Sequence, residues 1–221
     1  MFPVTTMAIA RRRPRLPQAV HGFTLIEMMV VVAIIGALMG LGIPSMSNWV
    51  SANKAAAASE FYMDGFRAAR LQAISHNSAS RIVLSNNQTT GQLDWQVDIC
   101  FPLPGTPCTA TSDNWSTTAA AAKGDPDTGT AYKSISRSAD NLPSTKVIQP
   151  VLFPTGNYTI HYTALGWVDT SIGSRLQRLR LEPLPAYAAQ LPTTAIAVTL
   201  SGMPTRCNVD LAATDSRGCP P

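Results

Sequence analysis

Acidic side chains are missing from residues 1 to 22, where Arg11, Arg12, Arg13 and Arg15 supply four of the 17 basic residues of the chain. The formal charge of +4 therefore belongs to this segment, and beyond it 13 basic residues face 13 acidic ones. A balanced remainder exerts no global pull on nucleic acid, so any contact with DNA has to rest on a local patch. Also missing are a C-x-x-C pair, a G-x-S-x-G elbow and the spacing of a metalloprotease helix, and past the basic segment the only histidines are His76 and His161. Neither has an evident catalytic partner in sequence, which argues against an enzyme. Asp125-Pro126-Asp127 lacks the further ligands of a calcium loop and reads as a turn, so neither metal nor cofactor is expected. No internal repeat is evident.

The apolar residues are concentrated between Phe23 and Ile43, a run broken in polarity only by Thr24 and Glu27. As a helix this run spans roughly 30 Å, enough to cross a bilayer. A secretory signal carries its small-residue cleavage site after the apolar run, whereas here Gly36, Ala37 and Gly40 lead into more helix-forming sequence and Pro44. The small residue ahead of the run is Gly22. Cleavage there leaves the apolar segment on the mature chain as an anchor, with the basic leader on the cytoplasmic side. Glu27 is costly within such a segment, by about 2.5 to 3.5 kcal/mol at mid-membrane. The α-amino group created on Phe23 by cleavage is the partner expected for it, on its own chain or a neighbour's; snorkelling to the interface is the alternative.

Four cysteines, Cys100, Cys108, Cys207 and Cys219, lie in the C-terminal two thirds. Three pairings are open to them, and the short loops 100 to 108 and 207 to 219 are favoured because near neighbours meet most easily. Two disulfides imply an oxidising compartment; four unpaired buried thiols are the competing reading.

From Ser45 to about His76 the pattern stays helical, with Tyr62, Phe66, Ala69 and Ala73 on one face and Asp64 and Arg67 as a polar pair. Gly65 weakens this helix by ~1 kcal/mol relative to alanine. Asn77 and Ser78 read as its end. The period then changes to two in Arg81–Leu84, Trp95–Ile99, Tyr158–Tyr162, Arg178–Leu181 and Ala195–Leu200, which predicts strands. Residues 102 to 150, rich in Pro, Gly, Ser, Thr and Asp, predict a long irregular or weakly stranded insertion. The organisation expected is thus a leader at 1–22, a transmembrane helix at 23–43, an amphipathic continuation at 44–77 and a β-rich domain at 78–221.

Gly22-Phe23-Thr24-Leu25-Ile26-Glu27 before an apolar run resembles the signal of type IV prepilins and type II secretion pseudopilins. The resemblance implies an α+β type IV pilin-like fold, with a long N-terminal helix packed on an antiparallel β-sheet domain. It further implies cleavage after Gly22 by prepilin peptidase, N-methylation of Phe23, subunit alignment by Glu27, and a kink at Pro44 in a packed fibre. The segments Arg70–Ser75, Phe153–Gly156, Leu165–Trp167 and Asp215–Cys219 resemble the GspH/FimT family of minor pseudopilins and minor pilins. That resemblance implies a subunit of the inner membrane that helps to start a fibre with other pilins, its C-terminal domain periplasmic. Some members of that family take up DNA through a Gly-Arg-x-Arg motif before a C-terminal cysteine. Here the stretch reads Gly202-Met203-Pro204-Thr205-Arg206-Cys207, with both motif arginines replaced, so Arg206 and Arg217 are left as a weak phosphate contact and DNA is not an expected partner. A membrane-anchored periplasmic binding module that never assembles is the reading of a different class.

Overall fold

Thr24 opens the first element. Its Oγ1 accepts the backbone N–H of Glu27 at 3.3 Å, and the Glu27 carboxylate accepts the backbone N–H of Thr24 at 3.0 Å. This reciprocal Thr-x-x-Glu box satisfies two donors at the start of helix α1, Leu25–Ser75. At the other end Asn77 adopts a left-handed conformation with φ of 47°, and Ser78 N–H reaches back to the Ala73 carbonyl while Asn77 N–H reaches Ile74. That pair of bonds closes the last turn and ejects the chain into the first strand. The computed structural model describes residues 22–127, 131–212 and 214–219, with side chains except those of 41–45, 47 and 48. The leader, with Arg11, Arg12, Arg13 and Arg15, lies outside the described residues, and so does the side chain of Pro44, across which the helix assignment is uninterrupted.

The chain divides into two compact units at Ser45–Met46. In the first, α1 carries apolar side chains on every face, Leu25, Ile26, Val32, Leu38 and Met39 among them, all exposed. Among the described residues no helix is long and apolar enough to cross a membrane.

In the second unit, the rest of α1 packs on eight strands: β1 Ala79–Asn86, β2 Leu93–Cys100, β3 Ile135–Arg137, β4 Ile148–Phe153, β5 Thr159–Tyr162, β6 Arg178–Pro183, β7 Thr194–Val198 and β8 Pro204–Cys207. They form two antiparallel four-stranded sheets, in the orders β3-β2-β1-β5 and β4-β6-β7-β8. The alternating runs predicted β1, β2, β5, β6 and β7. Three strands were not predicted. β3 lies within the insertion expected to be irregular or weakly stranded, and β4 begins in it and carries Pro150, tolerated because β4 is an edge strand. β3 is three residues long, too short to show a period, and β8 shows no alternation, with Thr205 and Arg206 both exposed. Where the insertion meets the end of β2, a small second core gathers Ile99, Phe101 and Ala122, with Tyr132 packed against it.

The main core joins the helix to both sheets through Tyr62, Phe66, Ile82, Trp95, Leu179 and Ile196. The helical face read from the sequence is the buried one. Gly65 has a reason that propensity misses: a Cβ there stands 2.9 Å from Trp95 Cγ and 3.0 Å from Ile82 Cδ1, so glycine is what lets β1 and β2 approach α1. Burial of the indole is completed by Trp95 Nε1 donating to the Phe61 carbonyl at 3.0 Å.

One buried polar group ties the three layers. Tyr62 Oη accepts the Leu93 N–H at 3.0 Å and donates to Gln92 Oε1 at 3.1 Å, and Gln92 Nε2 donates to the carbonyls of Pro143 and Ile148 at 2.7 Å each. Removing the hydroxyl strands a buried N–H and a buried carbonyl oxygen. Tyr62→Phe is therefore expected to cost about 2 kcal/mol, read as a lowered urea midpoint at unchanged slope. A shift no larger than that of an exposed control substitution would contradict this role.

Candidate functional site

The residues singled out at the N-terminus lie at the head of α1 and are exposed. Gly22, Phe23 and Thr24 precede the helix in irregular backbone, Phe23 is 83% exposed, and nothing lies within 4 Å of where a Cβ on Gly22 would stand. Glu27 sits in the first turn of the helix and is exposed. Its carboxylate is engaged locally, by the N–H of Thr24 at 3.0 Å and by Thr24 Oγ1 at 3.1 Å. The Thr24-x-x-Glu27 spacing is the sequence signal of this capping box, which gives Glu27 a local partner besides the expected Phe23 amine.

Both short-loop disulfides form, Cys100–Cys108 and Cys207–Cys219. The first closes the start of the insertion onto the end of β2. The second pins the C-terminal segment beside β8, where Asn208 N–H bonds to the Arg217 carbonyl and Cys219 N–H to the Asn208 carbonyl. This brings Arg206 and Arg217 to the rim of one shallow depression of about 390 Å³, together with Cys207 and Asn208. Each guanidinium is already occupied. Arg206 donates to Glu60 at 2.5 Å and to Ser59 Oγ at 3.0 Å, and Arg217 pairs with Asp215 at 3.0 Å, holding that carboxyl below the usual carboxylate range. A phosphate arriving here competes with two carboxylates, which weakens the contact expected of these arginines.

Arg206 has a counterpart on the other sheet. Arg137 of β3 lies 3.6 Å from Asp64, one turn along α1 from Glu60, and Arg67 bridges both carboxylates at 3.6 Å. Two acids on one helical face thus hold an edge strand from each sheet. The predicted Asp64–Arg67 pair is one member of this larger network.

Among the described residues the two histidines, His76 and His161, sit apart in different surroundings. His76 Nε2 contacts Gln72 Oε1 at 2.8 Å and its ring lies tilted against that of Tyr132, with centroids 3.8 Å apart. His161 is 3% exposed on β5, and neither ring nitrogen has a hydrogen-bond partner. It faces Trp115 at 5.6 Å and lies opposite Arg81, which pairs with Asp98 at 2.8 Å and stacks over the Trp115 ring at 4.5 Å. Burial pushes its pKa down to about 4, and the neighbouring Arg81 charge adds to the shift. A ring so enclosed has no route to a substrate. Asp125 forms the expected turn, its carboxylate accepting the N–H groups of Asp127 and Tyr132 at 2.9 Å.

Residues 18–43 match the prokaryotic N-terminal methylation motif, a type IV prepilin-like signal. The match takes in Gly22, Phe23, Glu27 and the apolar run. No curated protein and no solved structure matches the chain significantly.

Proposed function

We propose that this chain is a minor pilin or pseudopilin of the GspH/FimT type, a structural subunit that helps to start a type IV pilus or a type II secretion pseudopilus. The observation that carries the reading is the methylation motif over residues 18–43, placed on an exposed non-helical Gly22–Thr24 step at the head of a long helix. Prepilin peptidase cuts between Gly22 and Phe23, and the new amine of Phe23 is methylated. Glu27 then serves two donors in turn, the Thr24 N–H in its own chain and the Phe23 amine of a neighbour during docking. The run 23–43 lies in the inner membrane, Pro44 marks a kink or melted turn at its end, and the domain from 78 onward is periplasmic, where its two disulfides form.

Burial supports the same assignment. An apolar helix exposed on all faces has no stable place in water, and lipid followed by neighbouring pilin helices removes its surface from solvent at roughly 25 cal/mol per Å². Deleting the gene is expected to abolish sheared surface fibres or release of secreted proteins, with recovery when the gene is returned. Normal fibre yield together with normal secretion would overturn the assignment. An uncut, unmethylated chain in the wild-type cell would instead favour the membrane-anchored binding module.

A further inference from the structure

The arginines divide into two groups by their partners. Arg67, Arg81, Arg137, Arg180, Arg206 and Arg217 each have a carboxylate within ion-pair distance. Among the described residues, Arg70, Arg175 and Arg178 have none. These three surround one place. Arg175 and Arg178 line a groove of about 700 Å³ at the end of the β4-β6-β7-β8 sheet, and Arg70 donates to the carbonyl of Ser201, which lines the same groove.

Register explains the shape. Leu152, Leu179 and Ile196 are paired across three strands and face the core, so Phe153, Arg178 and Ala197, paired across the same strands, share the opposite face. From β7 this face of the groove receives Ala197, a low floor beside the longer side chain of Arg178 on β6. Phe153 and Leu200 flank it, 51% and 59% exposed, and Arg178 holds its guanidinium 4.8 Å above the Phe153 ring. No Asp or Glu lines the groove.

We infer that this groove docks a partner polypeptide through a carboxylate side chain set next to an apolar one. The carboxylate meets the guanidinium groups of Arg175 and Arg178, whose flat forks suit it, and the apolar neighbour covers Phe153 and Leu200. The volume exceeds what a lone ion fills, and the apolar flanks give a free anion nothing. A nucleic-acid backbone needs cations spaced along a track, whereas the next arginines on the sheet, Arg180 and Arg206, are already engaged by Glu182 and Glu60. This inference does not depend on fibre assembly.

The test uses the full chain in detergent micelles, passed over an array of octapeptides with one Asp or Glu beside Phe, Leu or Val. Each is paired with its Asn or Gln twin, and a duplex DNA oligonucleotide shares the array. Retention of a subset of acidic peptides at least tenfold better than their amide twins is expected. Arg178→Gln and, separately, Arg175→Gln should each lower that retention about tenfold at an unchanged thermal midpoint, while Arg217→Gln leaves it intact. Equal retention of acidic and amide twins, equal loss in Arg217→Gln, or stronger retention of DNA than of any peptide would each overturn the proposal.

Discussion

A chain carrying Gly22→Val is expected to persist as the uncut precursor, larger by its 22-residue leader, with the processed fraction down at least tenfold on an immunoblot of membranes. Gly22 lies in irregular backbone ahead of α1 with open space around it, so the fold is indifferent to a side chain there. Any loss of processing then reports on the peptidase that must close around this bond. The uncut chain keeps Arg11, Arg12, Arg13 and Arg15 attached to the apolar run and never exposes the Phe23 amine. It should therefore fail to enter fibres even when its domain is folded and oxidised. Normal cleavage of the valine variant would remove the prepilin reading of this segment.

The second large effect is on acid stability. His161 titrates near 6.5 in an unfolded chain and at about 4 in the folded one. Between those values the unfolded chain takes up a proton that the folded chain refuses, so stability is fully present above about pH 6.5 and drains away as the pH falls toward 4. Each pH unit in that window costs about 1.4 kcal/mol, for a total on the order of 3 kcal/mol. The groups around the ring set the direction: burial first, then Arg81 from β1, with Asp98 and Asp169 opposing. His161→Phe fills a similar space beside Trp115 and carries no proton. Denaturant midpoints of the two proteins should lie close at pH 7.5 and separate at pH 4.5, with the wild type the weaker. Parallel pH curves would show that the ring is not the group responsible, since carboxylates titrating near pH 4 act on both proteins alike.

Periodicity made much of this fold readable. Tyr62, Phe66, Ala69 and Ala73 could be placed on the buried face because a helix repeats every 3.6 residues, and Leu179 and Leu181 because a strand repeats every two. What stayed hidden depends on contacts between distant segments. Nothing local in Ile135–Arg137 or Pro204–Cys207 marks a strand, and each becomes one by lying along an edge already formed by β2 or β7. Pro150 points away from strand by propensity, and only the position of β4 at the sheet edge reverses that. Gly65 looked like a local weakness until Trp95 was placed against it. At the N-terminus Gly22, Phe23 and Glu27 were legible as a motif, whereas the capping role of Glu27 was equally local, in Thr24-x-x-Glu27, beside the Phe23 amine expected as its partner. The groove of Arg175 and Arg178 was out of reach in principle, because the sequence shows which arginines exist and not which ones the fold leaves without a carboxylate.

The two acids of α1 that hold Arg137 and Arg206 have a mechanical meaning. Each ion pair is half exposed and adds little at equilibrium, of order 0 to 1 kcal/mol. Under load, number and placement matter more than individual strength. The helix is fastened to one sheet through Asp64, through Trp95 at the Phe61 carbonyl and through Ser80 at the Ala69 carbonyl, and to the other through Glu60 and Arg70. A pull along the helix axis between Ser59 and Arg70 loads these fastenings side by side, so they share the force and yield together as in shear. In a filament whose subunits are held by this helix, tension is delivered to both sheets at once, and neither can be peeled away first.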